Sequence, residues 1–186
     1  MLPFCAFMKK ILYVKWSILL LLPLCFTACK TISPETLPSR YLVIRVIDGD
    51  TFCILNAENE QEKIRLIGVD APETKKTRRK EIGYYGKESA EYLRKLILNK
   101  QVRLEYDIQK IDMYGRTLAY VYLNNGVFLN DMLVQKGYCK VATFPPNIRF
   151  KNMFIQSKVI ARSKHRGLWN SKKQSKTNKK VCIANN

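Results

Sequence analysis

Histidine is almost missing from this chain: His165 is the only one in 186 residues. Mechanisms that need paired histidines, and metal centres built on imidazole, are therefore excluded. Sulfur serves zinc no better, because none of the six cysteines forms the C-x-x-C spacing of a zinc site. Acids are scarce too, 15 against 33 lysines and arginines. The spaced acids and terminal glutamate of an EF-hand loop are not there. Nor is there a long apolar run: Trp16 to Ala28 falls short of the roughly 20 residues that span a bilayer. No internal repeat is visible, so repeat architectures are set aside.

What is present in excess is positive charge, +18 overall. About +15 of it remains once Lys9, Lys10 and Lys15 of the first segment are discounted. A protein so basic is expected to meet polyanions, either nucleic acid or an anionic membrane surface, by salt-sensitive association. Residues 1–28 read as an export signal, with those three lysines as its basic region and the run ending at Ala28 as its apolar core. Phe26-Thr-Ala-Cys29 resembles a bacterial lipobox, in which Cys29 is lipidated and becomes the first mature residue. Cleavage after Ala28 without lipidation is the alternative. Two or three acyl chains would hold the protein stably on a membrane of the cell envelope. Without them it would be secreted or periplasmic. Residues 29–40 read as lipidated cysteine and tether, 41–169 as the folded domain, and 170–186 as a basic disordered tail. Cys53, Cys139 and Cys182 are left, and their spacing does not say which of them pair.

Within the domain, Tyr41 to Ile47 and Thr51 to Asn56 flank an Asp-Gly turn and predict a hairpin. Glu62 to Val69 is the third expected strand. Tyr84 to Ser89 opens a helix whose stripe Ser89, Tyr92, Leu93, Leu96, Ile97 has helical spacing, with Asn99 as its stop. Strands are expected at 102–106 and 116–123, and Asn124-Asn-Gly126 makes the next tight turn. A short helix over 129–136 ends at Gly137, and a longer basic helix runs from about Asn147 to Lys164. The order predicts a β-rich α+β domain, which a five-stranded barrel with three helices fits.

The chemistry gathers at strand ends. Asp48-Gly-Asp50 closes the first apolar run, and Asp70 and Glu73 close the third. Oxygen ligands without histidine or cysteine select a hard cation, Ca²⁺ or Mg²⁺. Two carboxylates and a carbonyl leave much of the shell to water and substrate, so such a calcium site is weak, on the order of 10⁻⁴ to 10⁻³ M. Arg65 alternates with Ile64 and Leu66, which places it on the opposite face of the strand. Arg116 follows the turn Asp112-Met-Tyr-Gly115. A guanidinium can bridge two phosphate oxygens and neutralise charge that grows in a transition state. Pro72 fixes the backbone ahead of Glu73, so that this carboxylate can be aimed at an attacking water. Asp50, Asp70 and Glu73 with the two arginines so placed point to phosphodiester hydrolysis.

Five motifs carry a resemblance: Val46-Ile-Asp-Gly-Asp-Thr51, Arg65-Leu-Ile-Gly-Val-Asp-Ala-Pro-Glu73, Tyr85-Gly-Lys-Glu-Ser-Ala90, Asp112-Met-Tyr-Gly-Arg-Thr-Leu-Ala-Tyr120 and Arg166-Gly-Leu-Trp169. In this order and spacing the chain resembles the staphylococcal-nuclease-like thermonucleases over about residues 41–169. The resemblance implies an OB-fold barrel with three helices and a calcium-dependent, sugar-nonspecific endonuclease that leaves 3′-phosphorylated ends on DNA and RNA. It implies that Asp50 and Asp70 are the Ca²⁺ carboxylates, with the Ala71 carbonyl as a further ligand and Asp48 as a nearby acid behind them. It implies that Arg65 and Arg116 hold phosphate and that Glu73 handles the water. Tyr114 keeps one aromatic of the nucleotide pocket. Met113 stands where the type member has a lysine, and Thr143 and Pro145 where it has tyrosines, leaving Phe144 to stack on a base. A monomer is expected. The alternative is a catalytically weak or inactive OB-fold lipoprotein that only binds nucleic acid.

Overall fold

The computed structural model describes residues 40–76 and 82–170. The export signal, Cys29, all of the tether but Arg40, Cys182 and the tail from 171 on lie outside the described residues. The elements run β1 (Arg40–Val46), β2 (Thr51–Leu55), β3 (Gln61–Leu66), β4 (Val69–Asp70), α1 (Gly86–Ile97), β5 (Gln101–Glu105), β6 (Thr117–Leu123), α2 (Leu129–Gln135), β7 (Lys140–Val141) and α3 (Lys151–Ser163). A 3-10 turn follows at Gly167–Trp169.

Alternation along the strands builds the barrel. Val43, Phe52, Ile54, Ile64, Leu66, Val102, Leu104, Ala119 and Val121 point inward and are buried together. The sheet closes in the order β1-β2-β3-β6-β5, with β5 pairing back to β1. β3 and β6 are parallel and the other barrel pairs antiparallel. The expected five-stranded barrel with three helices is thus what forms. Helix α1 packs Ser89, Leu93 and Ile97 inward, the stripe that its spacing predicts. Beside the barrel, Ile67, Tyr120 and Phe154 make a second, smaller cluster that seats α3.

Two expected elements differ. The third strand does not run on to Val69: it stops at Leu66, and Gly68 turns it with φ +78°. A Cβ at Gly68 would strike the Phe154 ring, so the turn needs glycine both for its conformation and for space. β4 then leaves the barrel and pairs with β7, Val69 opposite Val141 and Asp70 opposite Lys140. Had the strand continued, residues 65 and 70 would stand about 16 Å apart at about 3.3 Å per residue. The turn instead brings their side chains into contact. The last helix also begins later than expected, at Lys151. Asn147 serves as a clamp: its Oδ1 accepts the Gln109 N–H (2.9 Å) and its Nδ2 donates to the Gln109 carbonyl (2.8 Å).

Gly49 is the tightest point between barrel and helix. A Cβ there would lie 2.7 Å from the Cβ atoms of both Ala71 and Ser89. Gly49→Ala should therefore push the Asp48–Asp50 turn away from Ala71 and lower stability by about 1–3 kcal/mol, the usual cost of overpacking. Denaturant midpoints of the two proteins measure this, and an unchanged midpoint would mean that the loops yield freely.

Candidate active site

The β1–β2 turn, the end of β3 and the β4 segment deliver their polar side chains to one place. Asp50 is the most deeply set. Its Oδ1 accepts the Thr51 hydroxyl (3.0 Å) and its Oδ2 accepts the Ala71 N–H (2.6 Å). Asp48 Oδ1 accepts the Asp50 N–H (3.3 Å). Burial raises the Asp50 carboxyl to about 6; the Arg65 charge works against that shift and the Asp48 carboxylate adds to it. A proton therefore competes for Asp50 near neutral pH when nothing else is bound.

Arg65 ties the acids together. One of its terminal nitrogens, Nη1, pairs with Asp50 Oδ2, and the other donates to Asp70 Oδ1 (2.9 Å). One guanidinium thus spans two carboxylates from different segments, the β1–β2 turn and β4. Nη1 lies in ion-pair range of Asp50, yet it makes no well-angled hydrogen bond and is buried. Arg65 also lines the polar cavity beside these acids, where its charge suits a phosphate.

Arg116 arrives from the other side. Its Nε and Nη2 both reach Asp112 Oδ2 at 2.7 Å, while Asp112 Oδ1 accepts the backbone N–H groups of Tyr114 (2.9 Å) and Arg116 (3.0 Å). Burial pushes the Asp112 carboxyl up, but these hydrogen bonds and the Arg116 charge outweigh it and hold the group below its ordinary value. The Arg116 guanidinium also lies 5.3 Å from the Tyr114 ring centre.

Asp48, Asp50, Arg65, Asp70, Ala71, Glu73, Tyr114 and Arg116 all line one cavity of about 300 Å³. A second cavity of about 390 Å³ shares Arg65, Asp70, Tyr114 and Arg116 and extends past Leu66, Leu118, Met113 and Phe144. Thr143 and Pro145 line neither, whereas every acid, arginine and aromatic proposed for the site is in one or both, with Met113. The sequence reading missed the groups that hold them: Thr51, the Ala71 N–H and Asp112. The spacing of Asp112 and Arg116, four residues apart across a turn, carried that last signal.

The donors fit a hard divalent cation. The acids offer only oxygen, and the buried cysteines Cys53 and Cys139 are free thiols, the latter with its pKa raised by burial. Among the described residues, no three His, Cys, Asp or Glu side chains are gathered as a ready-made metal cluster. Arg65 occupies the space between Asp50 and Asp70, so the carboxylate set is sparse and shared with a cation of the chain itself.

Known proteins are similar to this chain over most of its described domain. A family model described as staphylococcal nuclease homologue matches residues 63–171. The chain is 40% identical over 140 residues to a thermonuclease of Staphylococcus intermedius, covering 75% of this chain and 82% of that protein. It is 40% identical over 131 residues to a thermonuclease of Staphylococcus hyicus, covering 70% and 76%. Endonuclease YncB of Bacillus subtilis is 32% identical over 127 residues, covering 67% and 59%.

Proposed function

The chain belongs to the staphylococcal nuclease homologue family and is a nuclease, a hydrolase of phosphodiesters; we propose that it is a calcium-dependent endonuclease that cleaves DNA and RNA to 3′-phosphorylated products. The observation that carries this reading is the convergence of two arginines and four acids on one polar cavity. A binding module without catalysis would not need that full set, and it is not favoured.

In this reading Asp50, Asp70 and the Ala71 carbonyl hold calcium, with Asp48 behind them. Calcium held there would supply positive charge to the phosphate and ease ionisation of water. Arg65 and Arg116 grip the non-bridging oxygens and match the charge that builds on them. Glu73 orients a water for in-line attack on phosphorus and takes up its proton. The bond to the 5′-oxygen breaks, and that oxygen leaves with the electron pair and is protonated. Tyr114 and Phe144 flank the nucleotide in the adjoining cavity. The protein acts as a monomer, exported and held at a membrane through lipid on Cys29.

Digestion of DNA and RNA by the full chain, with calcium and then with chelator, tests the proposal. Hydrolysis is expected with calcium alone and should yield 3′-phosphate and 5′-hydroxyl ends. Equal rates in chelator would remove calcium from the reading, and 5′-phosphate ends would reverse the direction of cleavage.

A further inference from the structure

The outward side of α3 takes no part in the chemistry described so far. The helix turns Phe154, Ser157 and Ala161 into the protein. On its other side Met153, Val159 and Ile160 are 45%, 53% and 37% exposed. At 100° per residue they fall on one arc with Asn152, Gln156 and Ser163, none of which is charged. Lys151, Lys158 and Arg162 border that arc on one side and Lys164 on the other. Ile148, just before the helix, is exposed as well.

No acid opposes these cations in the sequence around them. From Met132 to Asn186 there are 13 lysines and arginines and not one aspartate or glutamate. Asp131 meets α3 on its inner side, where its Oδ1 accepts the Ser157 hydroxyl (2.6 Å).

We propose that this face of α3 docks on an anionic lipid bilayer, its aliphatic side chains entering the headgroup boundary and its lysines meeting the lipid phosphates. An uncharged arc flanked by cations is how interfacial helices sit in that boundary. Nucleic acid is the other polyanion at hand, but its bases stack on aromatics, which this arc lacks, and it makes no use of the exposed Met153, Val159 and Ile160. The proposal does not depend on lipidation. If Cys29 is lipidated, the eleven residues 30–40 reach at most about 40 Å, which keeps the domain beside a bilayer. Docking through α3 would then fix its orientation there.

Two methionines make the test direct. Met153 sits on the proposed face, whereas Met113 is 86% exposed beside the nucleotide cavity. The full chain is exposed to dilute peroxide with neutral phosphatidylcholine vesicles or with vesicles containing phosphatidylglycerol, and sulfoxide at each methionine is read by mass spectrometry. Flotation with neutral vesicles reports the lipid anchor separately. Anionic vesicles should slow Met153 oxidation by about fivefold or more relative to neutral ones and leave Met113 unchanged. The double variant Lys158→Glu, Lys164→Glu should lose that protection while still digesting DNA. Equal oxidation of Met153 in both vesicles would overturn the proposal, as would equal protection of both methionines or protection that survives the double variant. DNA added in chelator without vesicles should leave Met153 unprotected; shielding as strong as that by anionic lipid would assign the face to nucleic acid instead.

Discussion

Arg65→Ala lowers the rate of DNA hydrolysis by about two orders of magnitude or more, the scale of losing one charge-stabilising donor. The same change should cost stability, because Arg65 is also the ion-pair partner of Asp50 and Asp70. Leaving the buried Asp50 carboxylate without its cation costs about 3 kcal/mol near neutral pH. The sign of the pH dependence follows from the direction of the shift. Asp50 is raised from an ordinary 3.8 to about 6, so its contribution to stability is complete below the lower value and is lost as pH rises through the upper one. Removing Arg65 takes away the charge that holds this carboxyl down, which moves the upper limit higher. The variant's deficit, measured by denaturant unfolding in chelator, should therefore be larger at about pH 8 than at about pH 5. A deficit that ignores pH would mean that Asp50 is not the group left unpaired. Arg65→Lys separates the two roles, since it keeps the charge but not a fork that reaches two carboxylates at once. It should regain part of the stability and little of the rate.

Much of this was legible in the sequence, and the reasons are specific. Strand alternation put Ile64 and Leu66 inside and Arg65 outside, and the barrel bears that out. The Asp48-Gly-Asp50 turn and the stripe on α1 were equally plain, because both rest on local periodicity and turn chemistry. What could not be read was long-range. β4 and β7 are two residues each, too short to show a period, and their pairing joins segments about 70 residues apart. Yet that pairing, with the turn at Gly68, is what returns Asp70 to Arg65. The late start of α3 has a similar origin, a side-chain clamp between Asn147 and Gln109 on another segment. In the candidate site the chemistry-bearing groups were visible, whereas the hydrogen bonds that aim them were not. A backbone N–H such as that of Ala71 leaves no mark on a sequence.

Glu73→Ala should lower hydrolysis by about two orders of magnitude or more, within the range of lost acid–base help. The backbone here is unusually constrained for a loop. The Glu73 carbonyl accepts the Gly83 N–H (2.9 Å), and Gly86, the first residue of α1, approaches that carbonyl so closely that a Cβ could not be accommodated. Pro72, directly before Glu73, has its own φ locked by its ring. A glutamate whose backbone is held this way on the lining of the cavity starts its side chain from a fixed point, which helps position it for general acid–base catalysis. Glu73→Gln then divides two roles that the alanine variant leaves merged. Glutamine keeps an oxygen to accept a hydrogen bond from water but cannot take its proton. If proton uptake by Glu73 limits the reaction, the glutamine variant falls as far as the alanine variant. If Glu73 only orients the water, glutamine retains most of the rate, and the proton must leave by another route. Wild-type turnover by both variants would remove Glu73 from the reaction altogether, leaving the two arginines and the cation to carry it.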